Sequence, residues 1–90
     1  MPFEYEALRS KTQQTLVEFL NAELNLGSTF VRSATISSDE KHMEHFAQAK
    51  EKATKAAESV RRFVGQVADG KVRATICNQL AELDRLISTL

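Results

Sequence analysis

Residues 16–34, LVEFLNAELNLGSTFVRSA, set the architecture expected of this chain. Apolar residues recur there every three to four positions, as at Leu20, Leu24 and Val31, which is the spacing of one face of an α-helix. The apolar positions of the helix cover an arc of about 180° at 100° per residue. This arc is wider than contact with a single partner needs. We therefore expect a helix that touches two neighbours, or one neighbour and a second chain.

Gly27 lies inside this helical pattern, where glycine costs about 1 kcal/mol relative to alanine. It either breaks the helix, with Ser28 or Thr29 capping a new one, or marks a close crossing with another helix. The apolar face continues through Gly27 without a change of phase, which favours one continuous helix. Pairing of the first two helices about a turn near residue 37 would place Gly27 opposite Ala47, and two small residues allow close approach of the backbones.

Two interruptions divide the rest of the chain. Ser37 and Glu40 have the spacing of a capping box, which marks the start of a helix. Asp69-Gly70 is a turn signal. The sequence thus predicts a single helical domain over residues 1–90, and short connections make consecutive helices antiparallel. The three predicted helices span about 5–35, about 39–67 and about 71–88.

The expected fold is all-α: an antiparallel up-down-up three-helix bundle with two long helices and a shorter third, assembling into a larger bundle. At 1.5 Å per residue, the helices are about 45, 43 and 27 Å long. The third helix would then end before Phe46, unless Leu90 reaches the edge and side chains cover one another. We expect an uncovered apolar surface that pairs with a second copy or another helical protein. Its predicted residues are Phe19, Leu26, Phe30, Val31, Met43 and Phe46.

Composition excludes several classes of protein. Twelve Lys and Arg balance twelve Asp and Glu, and this zero net charge argues against a dedicated nucleic-acid binder. Cys77 is the only cysteine, so no disulfide forms within the chain. The sequence has no apolar run of membrane-spanning length and no signal peptide, so we expect a cytoplasmic protein without membrane contact.

Glu23 and Lys50 are the candidates for buried polar residues. Glu23 falls within the apolar arc of helix 1, and antiparallel pairing brings it near Lys50 on helix 2. A buried carboxylate either finds a partner or shifts its pKa. We interpret the two residues as an inter-helix pair that fixes register, because no base or nucleophile accompanies Glu23.

Asp39, His42 and His45 are the only candidate metal ligands. Their spacing of three residues places them along one side of a helix, and their oxygen and nitrogen atoms suit zinc or another transition metal. Facing helices carry no second such motif. We therefore expect no cofactor, and a metal-binding bundle is kept as an alternative.

A second alternative is weak binding of nucleic acid or of an acidic partner through basic residues on helix 2, which are Lys41, Lys52, Lys55 and Arg62. Acidic residues are interleaved with them, which is typical of a solvated face, and no aromatic residue offers a stacking platform.

Cys77 is expected to be half-buried and inert, because both histidines are distant. With no nucleophile motif either, we expect a non-enzymatic interaction or structural module.

Overall fold

The computed structural model describes the backbone of residues 2–36 and 43–90, and the side chains of residues 12–36 and 44–90. These ranges contain three α-helices and no β-strand: α1 (Pro2–Ile36), α2 (Met43–Phe63) and α3 (Gly70–Ser88). A 3-10 turn, Val64–Gln66, follows α2. The helices pack against one another, which confirms the prediction of an all-α three-helix bundle.

Helix α1 is continuous through Gly27, as its uninterrupted apolar phase predicts. The predicted start of helix 2 at residue 39 and the capping box of Ser37 and Glu40 lie outside the described residues. At its other end, helix 2 leaves the α-helical geometry at Phe63, four residues before its predicted end.

The turn signal at residues 69 and 70 is the start of α3. The Asp69 carboxylate accepts hydrogen bonds from the backbone N–H groups of Lys71 at 2.9 Å and Val72 at 3.2 Å. These are two of the amide groups that have no partner within a helix, so Asp69 caps α3. The Arg73 guanidinium also donates to the Val67 carbonyl oxygen at 2.9 Å.

All three helices contribute to the hydrophobic core. Leu20, Val60, Ile76 and Leu83 are each at most 2% exposed, and the part of the chain with described side chains has no buried polar residue. The buried positions of α2 include four alanines, whose small side chains allow α1 to approach closely. They are Ala49, Ala53, Ala56 and Ala57.

The close crossing at Gly27 involves all three helices. A Cβ atom built on Gly27 would lie 2.6 Å from Leu83 Cδ2 and 3.5 Å from Ala56 Cβ. The prediction that Ala47 lies opposite Gly27 is wrong, since Ala47 is exposed to solvent. Because α1 continues to Ile36 and α2 starts only at Met43, the two helices pair about a point beyond residue 37, which brings Ala56 to Gly27.

Polar side chains also link the helices, both at the connection between α2 and α3 and farther along these two helices. The Gln13 side-chain amide donates to the Gln66 carbonyl oxygen at 3.0 Å, and its oxygen accepts from the Ala68 N–H at 2.8 Å. The Arg61 guanidinium donates to both carboxylate oxygens of Asp84, at 2.7 and 2.8 Å. These contacts link α1 to the connection and α2 to α3.

We expect Gly27→Ala to destabilise the protein. The substitution gains about 1 kcal/mol of helix propensity, but overpacking against buried Leu83 costs about 1–3 kcal/mol. Chemical denaturation of the variant measures the balance. Because Gly65 has no atom within 4 Å of its built Cβ, Gly65→Ala is the matched control and should be neutral or stabilising. Equal stability changes for both variants would contradict the close crossing.

Candidate interaction surface

The exposed large hydrophobic residues of the described side chains all lie on α1. Phe19 is 42% exposed, Leu26 is 47% exposed and Ile36 is 77% exposed. Leu26 lies 200° around the helix from buried Leu24, because successive residues are 100° apart. These three residues therefore lie on the side of α1 that faces away from the core.

The exposed residues belong to a longer uncharged row along α1, which we call the outer stripe. Its members are separated by three and four residues in alternation, so they follow one side of the helix. Ser33 is half-buried and the others are exposed. The outer stripe consists of Phe19, Ala22, Leu26, Thr29, Ser33 and Ile36.

Helix α2 borders the outer stripe with aromatic and basic side chains. The rings of Phe19 and Phe63 meet edge to face with centroids 6.1 Å apart. The Arg62 guanidinium lies 5.6 Å from the Phe63 centroid, and Lys52 Nζ lies 5.6 Å from that of Phe30. Such cation–π contacts hold the cations against the rings, so this border is positively charged.

Two of the predicted patch residues, Phe19 and Leu26, lie on the outer stripe. Phe30 and Phe46 are half-buried, and the Met43 side chain lies outside the described part of the chain. Val31 is only 7% exposed and belongs to the core, so its assignment to the patch is wrong. Seven residues after Leu24, Val31 has the same orientation and packs inward.

The open end of the bundle lies near Phe46. Leu83 of α3 is level with Ala56 of α2, since both contact the same position on α1. The five residues from Leu83 to Ser88, where α3 ends, rise about 7.5 Å, which carries α3 to the level of Glu51. Phe46 lies beyond that level.

Glu23 and Lys50 are not a buried pair. Glu23 is half-buried and Lys50 is exposed, and no ion pair between them occurs among the described residues. The contacts of Phe19 with Phe63 and of Phe30 with Lys52 place Glu23 level with Ser59. The contact of Glu23 with Lys50 was expected because the turn between α1 and α2 was assumed to lie near residue 37.

His45 is the one candidate metal ligand whose side chain is described. It is exposed, and its Nε2 atom lies 3.0 Å from Ser33 Oγ, within hydrogen-bonding distance. Asp39 and His42 lie outside the described residues. In the ranges that are described, no three His, Cys, Asp or Glu residues cluster closely enough to hold a metal ion.

The basic residues of helix 2 have different surroundings. Lys55 forms an ion pair with Glu51 at 3.1 Å, whereas Lys52 and Arg62 contact aromatic rings. Lys41 lies outside the described residues. Cys77 is exposed, so the prediction that it is half-buried is wrong. Its position at the margin of the apolar stripe of α3 leaves it just outside the contact with α1 and α2.

A shallow groove between α1 and α3 has a mixed polar and apolar lining, with Asn21, Asn25 and Glu82 among its polar residues. The Arg85 guanidinium donates a 3.0 Å hydrogen bond from Nε to Glu82, and a second from its terminal nitrogen. Chiefly through these hydrogen bonds, Arg85 lowers the pKa of the Glu82 carboxyl group below its usual value. Both side chains are largely exposed, so the pair contributes little to stability.

Ile36 and Phe63 are not among the residues predicted for this surface. Ile36 lies three residues after Ser33 on the outer stripe. The alternating spacing of uncharged positions could have revealed it. The contact between Phe63 and Phe19 depends on the relative positions of α1 and α2, so no local signal predicts it.

No protein-family model matches this chain, and comparisons with curated proteins and with solved structures found no match. Among the described residues, no helix is long and apolar enough to cross a membrane.

The Glu82 carboxyl group should titrate below the usual range of glutamate, and Arg85→Met should return its pKa to that range. Because the folded-state pKa is lowered, the stabilisation is present above the unfolded value of about 4.3 and is lost as the pH falls through the folded value. NMR titration of the Glu82 side-chain carbon measures both pKa values. An unchanged pKa in Arg85→Met would refute the assignment to this hydrogen bond.

Proposed function

We propose that this chain is a non-enzymatic protein-interaction module that associates through the outer stripe of α1. The observation that supports it is the placement of Phe19, Leu26 and Ile36, the exposed large hydrophobics of the described residues, on one uncharged side of one helix. An apolar row with no charged member is typical of a contact surface. The partner that we propose is a second copy of the chain, and another helical protein is the alternative.

The energetics favour association of an already folded unit. The core has nearly fully buried residues from every helix, such as Leu20, Val60 and Ile76, so the bundle needs no partner to complete it. Burying what remains exposed of Phe19, Leu26 and Ile36 is worth about 1–2 kcal/mol each. Ordering and desolvation oppose this gain, so we expect a reversible complex.

The alternatives drawn from the sequence remain predictions. No contact among the described residues favours metal binding at Asp39, His42 and His45, or weak nucleic-acid or acidic-partner binding by helix 2. Association at the open end near Phe46 and a cytoplasmic location are likewise expectations from the sequence alone.

Self-association tests the proposal. Sedimentation velocity or light scattering of the wild-type chain at high micromolar concentration should give about twice its mass of 10.1 kDa. Leu26→Lys and Ala22→Lys should shift the protein to the monomer, because each places a charge in the middle of the outer stripe. Both positions are exposed in the monomer, so circular dichroism should show unchanged helix content.

Ala74→Lys is the matched control for Ala22→Lys. Ala74 is an exposed alanine inside α3, so the substitution adds the same charge at a similar helical site away from the outer stripe. This variant should remain as dimeric as the wild type. A wild-type chain that stays monomeric, or equal dissociation by both alanine variants, would contradict the proposal.

A further inference from the structure

The outer stripe has the spacing of a coiled-coil seam. From Phe19 to Ile36 its members follow one another by three, four, three, four and three residues. Two helices pair along their length when two positions in every seven are apolar. The outer stripe has this spacing, with four apolar members and two hydroxyl members. In the sequence, the same spacing continues backward through Thr15 and Thr12 without a charged residue.

The two edges of the outer stripe differ in accessibility. On one edge, Glu23 and Phe30 are half-buried against α2. On the other edge, Glu18, Asn25 and Arg32 are exposed and repeat every seven residues, and Asn25 also lines the groove between α1 and α3. This more accessible edge, which we call the free edge, carries an acidic group at one end, an amide in the middle and a basic group at the other end. Side chains at such flanking positions determine partner and orientation.

The charges on the free edge match those of a second copy that runs in the opposite direction, because the acidic end of one copy then meets the basic end of the other. We propose that the outer stripe binds α1 of a second copy in antiparallel orientation, with the twofold axis next to Asn25. Glu18 then faces Arg32 of the second copy, Arg32 faces Glu18 of the second copy, and the two Asn25 amides meet. This inference rests on the proposed function and adds the identity and orientation of the partner.

The apolar positions fit the same arrangement. With Asn25 near the axis, Leu26 lies opposite Ala22 of the second copy, and Phe19 lies opposite Thr29 of the second copy. Each large side chain thus meets a small one across the seam, which favours interdigitation without overpacking. The layers repeat symmetrically on both sides of the axis, as a twofold interface requires.

A parallel pairing fits the charges less well. In parallel coiled coils, a residue on the free edge faces the residue five positions later on the opposite edge of its partner. Glu18 would then face Glu23 of the second copy, and this repulsion would occur twice. The antiparallel arrangement replaces these two contacts with two of opposite charge, and its single like-charge contact is that of the two Glu23 side chains next to the axis.

Charge reversal at the free edge tests the orientation. Glu18→Arg places two arginines together at each of two sites, and we expect the dimer dissociation constant to rise about tenfold from the lost and repulsive pairs. The double variant Glu18→Arg/Arg32→Glu should restore wild-type affinity. Glu58→Arg, an exposed change on α2, controls for the altered net charge and should have little effect.

Crosslinking gives an independent measure of the geometry. In a Cys77→Ser background, which removes the exposed native thiol, Asn25→Cys should be joined efficiently to itself by a short bis-maleimide. Arg32→Cys is the matched control on the same edge. Its two copies would lie about 21 Å apart along the helices, so it should crosslink poorly to itself but well in a mixture with Glu18→Cys.

The outcomes separate this inference from the proposed function. If Leu26→Lys dissociates the dimer but Glu18→Arg strengthens it or leaves it unchanged, the antiparallel arrangement is overturned and the interaction module stands. Equal self-crosslinking at positions 25 and 32 would likewise overturn the antiparallel arrangement and leave the interaction module standing. A wild-type chain that remains monomeric overturns both, and only the alternative of binding to another helical protein would then be left.

Discussion

The absence of a side chain at Gly27 determines how the three helices meet. Leu83 of α3 fills the space where a Cβ atom would lie, and Ala56 of α2 approaches the same point. One position on α1 thus fixes the level of both other helices. The contacts of Phe19 with Phe63 on one side of it, and of Phe30 with Lys52 on the other, occur at closely matching distances along α1 and α2. Larger residues at this crossing would separate the helices and shift these contacts.

This arrangement uses only part of the apolar surface of α1. The side with Leu20, Leu24 and Val31 is buried between α2 and α3 within one chain. Leu26 and Phe19 lie largely outside that contact and remain exposed. The wide apolar arc of helix 1 therefore has two parts, one that completes the fold and one that the fold leaves to solvent. Because the core is complete within one chain, folding does not require the exposed apolar residues of α1, and their presence calls for a functional explanation.

The sequence predicts the helices well because their signals are local. The three-to-four spacing around Leu24 and the break at Asp69-Gly70 depend only on neighbouring residues, and both are confirmed. The relative positions of the helices depend on where each helix begins and ends. An error of a few residues there pairs Gly27 with Ala47 instead of Ala56, and it equally explains the expected contact of Glu23 with Lys50. Periodicity also predicts how wide an apolar arc is, but it does not show which part of the arc another helix covers. For this reason Val31, which is buried, was predicted to be in the exposed patch.

The composition of the outer stripe bears on the strength of association. Obligate interfaces resemble a divided hydrophobic core, whereas this stripe places Thr29 and Ser33 between its large apolar residues. Those hydroxyl side chains keep the monomer surface compatible with water, and they limit the apolar area that pairing removes. A 90-residue domain is small enough that any partner which binds only the folded state adds noticeably to its stability by mass action. In the proposed complex, folding and association are therefore thermodynamically linked but structurally separate: Gly27 and Leu83 belong to folding, and Leu26 belongs to the proposed association.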